Sequence, residues 1–261
     1  MKKTFSSKKS AFSLIELSIV LIIIGLLIAG ITGGASLIKS SELRSIMGEA
    51  RGFAVSVNSF FTQYDQYPGD SDKNVGARST VVGNRDNKIQ FVRELPTPVT
   101  AEGVDAWFDL LDIGAIDLPL VGITMTSPEA LVPVTNIPGS KIKGAGWAFD
   151  YNNTNSQNVV VLTGTTAAWA TTKGLVNGVA TGDVAKNVSV AIITAGDALS
   201  IDSKIDDGKA NAGNVQAVNV TNVNATVCTN AFQTTPAPDA YRVANGTTKT
   251  CVLTFRVDVS S

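Results

Sequence analysis

The feature that most constrains this chain is the apolar run near its start. From Phe12 to Ile38 the sequence contains a single charged residue, Glu16. A helix over that span would be about 40 Å long, which is enough to cross a bilayer with some tilt. Four lysines and no acid precede it, so the positive-inside rule predicts a cytoplasmic N-terminus. A carboxylate in such a segment costs about 2.5–3.5 kcal/mol, and such residues usually have a partner and a role.

The residues around Glu16 resemble a known signal. The segment KKSAFSLIEL at residues 8–17 is similar to the N-terminal signal of type IV prepilins and type II secretion pseudopilins. The resemblance implies a leader, residues 1–11, which prepilin peptidase removes between Ala11 and Phe12 before Phe12 is N-methylated. It also implies that Glu16 pairs with the N-terminal amine of a neighbouring subunit during fibre assembly. The family usually has Gly before the cut, where this chain has Ala11.

Two other interpretations of the same stretch stay open. A Sec signal peptide also combines lysines with an apolar core, and small residues at 33–35 could form its cleavage site. A plain signal anchor without any assembly role is the second alternative. Glu16 at the head of the core is unusual for a Sec signal peptide.

The sequence after the apolar run changes to an amphipathic pattern. Apolar residues recur in steps of three and four, which predicts one buried stripe on a helix: Leu43, Ile46, Ala50, Phe53, Val57, Phe60, Phe61 and Tyr64. The first proline is Pro68, so nothing earlier forces a helix to stop. We therefore predict one helix from about Phe12 to Tyr64. Residues 12–38 would form its transmembrane half and residues 39–66 the half that packs on a domain.

Residues 67–261 are predicted to form a β-rich periplasmic or extracellular domain. β-Branched and aromatic runs bounded by turn residues predict strands at 146–151, 159–163, 188–194 and 251–257, and another beginning near 213. Short helices are predicted at 105–113, with Asp105 as the cap, and at 198–205, whereas 75–103 has the composition of a long polar loop. The expected fold is α+β, with the long N-terminal helix packed on a C-terminal antiparallel sheet.

Composition excludes several kinds of site. The sequence has no histidine, which removes His-based triads and His metal sites. Its two cysteines, Cys228 and Cys251, form an even, widely spaced pair, which in an exported chain predicts a disulfide; two unpaired thiols are the alternative. Loss of the leader lysines takes the formal net charge from −1 to −5, so no nucleic-acid partner is expected.

Two acidic segments are candidates for calcium. The segments YPGD at 67–70 and IDSKIDDG at 201–208 resemble those of a subset of pseudopilin-like proteins. The resemblance implies that Asp202, Asp206 and Asp207 could hold a structural calcium, as C-terminal acidic loops do in some major pseudopilins; the alternative is that they cap a helix and a turn. Alternating acids and amides at 70–74 resemble the start of a calcium loop or belong to a solvated turn. No other cofactor is expected.

The sequence predicts a structural protein rather than an enzyme. The resemblance implies a subunit of a type IV pilus or type II secretion pseudopilus, inserted in the inner membrane and then cleaved, methylated and polymerised. Its implied partners are prepilin peptidase, other pilin or pseudopilin subunits, the assembly platform and the inner membrane. The alternative is a membrane-anchored extracytoplasmic binding module or adhesin that does not polymerise.

Overall fold

The computed structural model describes residues 13–72, 75, 83–91, 102–119, 130–153, 155–166, 175, 189–218, 228–229 and 240–259. Three α-helices lie among them: α1 (Leu14–Tyr64), α2 (Glu102–Asp112) and α3 (Ala195–Ile205). Five strands follow one another as β1 (Ala145–Asn152), β2 (Gln157–Gly164), β3 (Ile193–Thr194), β4 (Val215–Val218) and β5 (Lys249–Arg256), with a 3-10 turn at Val243–Asn245. The chain divides into two compact units, Met1–Glu42 and Leu43–Ser261, and α1 contributes residues to both.

The first unit contains the apolar half of α1. Its large apolar side chains from Leu14 to Ile38 are 46–85% exposed, as expected of a segment that meets lipid. By length and composition α1 could cross a membrane. Polar side chains within the run are satisfied by their own helix: the Thr32 hydroxyl donates to the Ile28 carbonyl at 3.0 Å, and the Ser36 hydroxyl to Gly33 at 2.9 Å. Such bonds are needed in a membrane, because no water is present there to pair with polar groups.

The second unit is built on an antiparallel sheet. The hairpin β1–β2 pairs Asn152 with Gln157 beside its turn, β2 pairs with β5, and β4 and β3 also pair with β5. The strand order is β1-β2-β5-β3, with β4 paired to β5 off this path. The predicted α+β arrangement of a long helix and an antiparallel sheet is therefore confirmed.

The domain half of α1 supplies one side of the main core. Its predicted stripe is buried at Leu43, Ile46, Ala50, Val57 and Phe60, and these residues share a cluster with alternate residues of the sheet. Four aromatic contacts lie in this layer, with ring centroids 4.2–5.6 Å apart: Phe53–Trp107, Phe53–Trp147, Trp107–Phe149 and Trp147–Phe255. The strand residues of opposite parity, such as Val159, Val161 and Val252, belong to a second cluster. The period-2 alternation of strands explains this division.

Several predicted boundaries differ from the structure. Helix α2 begins at Glu102, and Asp105 is a buried residue inside it rather than its cap. The Glu102 carboxylate accepts the Gln90 backbone N–H at 3.2 Å, and the Gly103 N–H donates to the Gln90 carbonyl at 2.8 Å, so tertiary contacts fix the earlier start. The predicted polar loop at 75–103 is also wrong in part, since Ile89 and Phe91 are fully buried.

The predicted strand at 188–194 is reduced to the two residues of β3. Residue 188 lies outside the described residues. The Val190 carbonyl accepts the Gly164 N–H at 3.1 Å, and the Ile192 N–H donates to Cys251 at 3.1 Å. The segment thus passes from the end of β2 to β5, and a crossing chain forms only a short ladder with either strand.

Candidate functional site

The start of α1 is organised by Ser13 and Glu16. The Ser13 backbone N–H donates to Glu16 Oε2 at 2.9 Å, and Ser13 Oγ accepts the Ile15 N–H at 3.3 Å. This arrangement is a variant of the capping box, in which a serine and a glutamate three residues later satisfy donors that the first helical turn leaves free; here the serine oxygen accepts the N–H of Ile15 rather than that of Glu16. The Ser-x-x-Glu spacing is visible in the sequence and signals a cap, a role of Glu16 that was not predicted beside its assembly role.

The cap places a carboxylate at the N-terminal end of a long helix. The helix dipole favours negative charge there, because backbone N–H groups point toward that end. Glu16 lies four residues, or about one helical turn, beyond Phe12, the residue whose amine would be exposed by the predicted cut. Ala11 and Phe12 themselves lie outside the described residues, so their geometry stays a prediction.

Residues 6–32 match the family model described as the prokaryotic N-terminal methylation motif. The chain carries a prepilin-type signal. This motif is the hallmark of type IV pilin and pseudopilin precursors, which confirms the resemblance seen at residues 8–17. It implies processing by prepilin peptidase and assembly with other pilin subunits, and it indicates a structural protein. No curated protein and no solved structure gives a significant match to the chain.

The two cysteines of the C-terminal domain form a disulfide. Cys228 and Cys251 are bonded across 23 residues of sequence, and both are buried. Cys251 lies in β5, while the Cys228 carbonyl accepts the Arg242 N–H at 2.8 Å. The bond therefore attaches the segment around Cys228 to the strand that pairs with β2, β3 and β4.

The three acids proposed for calcium lie together after α3. Their carboxylate oxygens are all within 4.8 Å of one another, and Asp202 is buried while Asp207 is exposed. Each acid also has a partner in the fold. Asp202 accepts the Tyr241 hydroxyl at 2.7 Å and the Gly208 N–H at 3.2 Å, Asp207 accepts the Lys209 N–H at 2.9 Å, and Asp206 accepts the Asn214 N–H. The spacing suits a shared cation, and the same bonds would also hold the turn without one.

Asp70 and Asp72, at the start of the other acidic segment, make contacts within the domain. Asp70 is buried, and its two oxygens accept the backbone N–H groups of Asp86 at 3.2 Å and Asn87 at 2.8 Å. Burial raises the pKa of this carboxyl, and the bond from the Asn87 N–H opposes the shift. Asp72 instead contacts Arg85 at 3.2 Å. Asp70 is therefore buried and anchors the backbone at 86–87 rather than lying in a solvated turn. The calcium interpretation of this segment stays a prediction, and Asn74 lies outside the described residues.

Glu49 bonds α1 to the sheet, a role that was not predicted from the sequence. Its carboxylate accepts the Ser140 hydroxyl at 2.7 Å, the Trp147 indole N–H at 2.8 Å and the Lys141 backbone N–H at 3.2 Å. It lies beside the apolar stripe of α1 and bonds that helix to the turn before β1 and to β1 itself. A single acid at the margin of a stripe looks like a solvated residue in the sequence, so no local signal could have identified these partners.

The pH dependence of stability should show a contribution from Asp202. Burial is the main cause that raises the pKa of this carboxyl to about 6 from its ordinary 3.8. A folded-state pKa above the unfolded value means that the folded state holds the proton more tightly. Stability from this group is therefore greatest below about pH 4 and declines as pH rises through 6. Thermal unfolding in detergent should show a steeper decline for the wild type than for Asp202→Asn, and parallel curves would refute the assignment.

Proposed function

We propose that the chain is a structural subunit of a type IV pilus or a type II secretion pseudopilus. It would enter the inner membrane through residues 12–38, with its N-terminus cytoplasmic and its β-rich domain periplasmic. Prepilin peptidase would cleave it, Phe12 would be methylated, and the mature chain would polymerise on the assembly platform. The observation that carries this proposal is the methylation motif at residues 6–32, which leads directly into α1.

The architecture supports the same proposal. One helix joins an exposed apolar half to a half whose stripe lies in the core of an antiparallel sheet. The first half can stay in lipid or pack against the same half of other copies, since transmembrane helices associate through van der Waals packing. A fibre subunit needs one segment that enters the membrane and another that belongs to a folded domain, and α1 contributes to both.

The mature N-terminus provides the test of processing. We expect mass spectrometry of the protein purified from a host with prepilin peptidase to find N-methylated Phe12 as the first residue. Ala11→Gly, which restores the residue usual in the family, should raise the processed fraction because it removes only a methyl group beside the cut. An N-terminus at Ala35 or Ser36 would instead show an ordinary signal peptide and overturn the proposal.

The alternative function is an anchored binding module or adhesin that never polymerises. Shearing and fractionation separate the two. Recovery of the mature chain in sheared fibres supports the subunit, while recovery in the inner membrane alone, with normal processing, supports the module.

Calcium at Asp202, Asp206 and Asp207 is a second proposal, supported by the spacing of their carboxylates. An ion that binds only the native state raises the melting temperature, by an amount that grows with its concentration relative to Kd. We expect calcium to raise the melting temperature relative to chelator, and Asp206→Asn/Asp207→Asn to reduce that rise. An unchanged melt in the wild type would leave the three acids as turn residues.

A further inference from the structure

The two ends of the sheet in the second unit carry different charged side chains. Ala145 pairs with Gly164, and β2 is antiparallel to β5, so the first residue of β1, the last of β2 and the first of β5 lie at the same end. This end is called the basic end, and it is defined by Arg44, Lys141, Lys143 and Lys249.

The α1 helix enters the domain at the basic end. Glu49, seven residues into the second unit, bonds to Ser140, to the Lys141 N–H and to Trp147, the third residue of β1. The segment that follows α1 lies at the other end of the sheet. There the Tyr67 hydroxyl accepts the Val259 N–H at 3.2 Å, just beyond β5. The basic end is therefore the end of the sheet beside which the second unit begins, at Leu43.

The four cations of the basic end are exposed, and within the described part of the chain none of them forms an ion pair. Cations at the opposite end have partners: Arg85 contacts Asp72 at 3.2 Å, Arg256 contacts Asp258 at 3.0 Å, and Lys88 lies 5.1 Å from the centroid of the Tyr151 ring.

The described acids at the basic end accept hydrogen bonds from groups within the domain. Glu49 accepts hydrogen bonds from the 140–147 segment, and Asp197 accepts the Thr194 hydroxyl at 2.8 Å in the first turn of α3. Among the described residues, the four cations outnumber these two acids, so the charges of these six side chains sum to a positive value.

Chain length limits how far this charge can be from the end of the apolar run. Arg44 follows Ile38 by six residues, which is about 9 Å along a helix. Electrostatic interactions in physiological salt extend about 8 Å, and flexible lysine side chains add to that reach. In the intervening sequence Lys39 and Glu42 balance one another in charge. A negative surface within reach of Arg44 would therefore attract the basic end.

We propose that the basic end binds the headgroups of anionic phospholipids in the membrane that holds the apolar half of α1, before the chain enters a fibre. The inference rests on the proposed membrane insertion. A lipid surface fits better than a second copy, because the chain itself keeps that surface within reach while a copy must be recruited. Each lysine near an anionic surface gains enough attraction to raise its occupancy about fivefold. Assembly would then have to release these contacts as well as the apolar helix.

Lysine acylation by a membrane-impermeant reagent tests the proposal on the full chain. The protein is reconstituted into vesicles of phosphatidylcholine alone and of phosphatidylcholine with phosphatidylglycerol, neither of which carries an amine. Mass spectrometry then compares modification rates at each lysine. We expect Lys141, Lys143 and Lys249 to react about fivefold more slowly in the anionic vesicles and to recover in high salt. Exposed Lys204, near the end of α3, should react equally in both.

A charge variant and a dilution series complete the test. Lys141→Glu/Lys143→Glu changes only exposed side chains and should remove the protection of Lys249, whereas Lys204→Glu should not. Equal rates in both vesicles, with the chain still resistant to carbonate extraction, would overturn the lipid contact and leave the proposed membrane insertion intact. Failure of the chain to resist extraction would instead contradict the proposed function. In the dilution series the number of protein chains per vesicle is varied. If the lysines of the basic end are protected from acylation in neutral vesicles too, and more strongly at higher protein density, the surface binds a second copy instead of lipid.

Discussion

Replacing Glu16 by alanine should leave membrane insertion and leader cleavage largely intact and reduce fibre assembly to a small fraction of the wild-type amount. The peptidase is expected to act on the leader and Phe12, whereas Glu16 lies a helical turn further on. An unpaired carboxylate in lipid has an unfavourable free energy, so pairing Glu16 with the N-terminal amine of a neighbouring subunit should favour assembly. Fibres are sheared from cells, and the mature chain in fibre and inner-membrane fractions is quantified.

Glu16 has a second role that the variant must separate from the first. Its carboxylate accepts the Ser13 N–H at 2.9 Å, so alanine also removes a helix cap, typically worth about 1 kcal/mol. Glu16→Gln is the matched control, because glutamine completes a capping box but carries no charge. If charge pairing drives assembly, Gln should be as defective as Ala. If capping alone matters, the Glu16→Gln variant should assemble normally. A normal amount of fibre from Glu16→Ala would contradict both the pairing role and the capping role in assembly.

The long helix was predictable because one physical pattern covers nearly all of it. Without proline before Pro68, an apolar run followed by steps of three and four leaves few alternatives to a helix. The strands β1 and β2 were predictable for a similar reason: two β-branched and aromatic runs flank a turn of Asn, Thr and Ser, and in the structure the two strands pair with Asn152 opposite Gln157. Local signals suffice where the partner is the next element in the chain.

The segments between these elements were not predictable, since side chains far away in sequence determine them. The backbone at 86–91 is held by Asp70, Glu102, Asp150 and Asn158, which lie up to 69 residues away. Acids and amides outside a known motif are expected to be solvated, because most such side chains lie at protein surfaces. Here they replace a β-ladder as acceptors for buried backbone donors, and nothing in the spacing of the acids indicates it.

Of these acids, Asp150 should cause the largest loss of folding stability when it is replaced. It lies in β1 and is 5% exposed. One oxygen accepts the backbone N–H of Phe91 at 3.0 Å and of Tyr151 at 2.8 Å, and the other accepts the Leu175 N–H at 2.7 Å. Phe91 and Leu175 are themselves fully buried. One carboxylate therefore joins two irregular segments to the sheet.

Asp150→Ala should lower the free energy of unfolding by about 3–5 kcal/mol, because each buried N–H that loses its acceptor costs about 1–3 kcal/mol. That is a large share of the 5–15 kcal/mol typical of a domain. Urea unfolding followed by the fluorescence of buried Trp107 and Trp147 measures it. Asn153→Ala, at an exposed site in the adjacent turn, is the control and should stay within about 0.5 kcal/mol of the wild type.

Asp150→Asn distinguishes a lost acceptor from a lost charge. Asparagine can keep its oxygen toward Phe91 and Tyr151, but its amide nitrogen would then face the Leu175 N–H, donor against donor. We expect it to fall between wild type and Ala in stability, with faster hydrogen exchange at Leu175 than at Phe91. Wild-type stability in Asp150→Ala would contradict the anchoring role and show that water or another acceptor satisfies both segments.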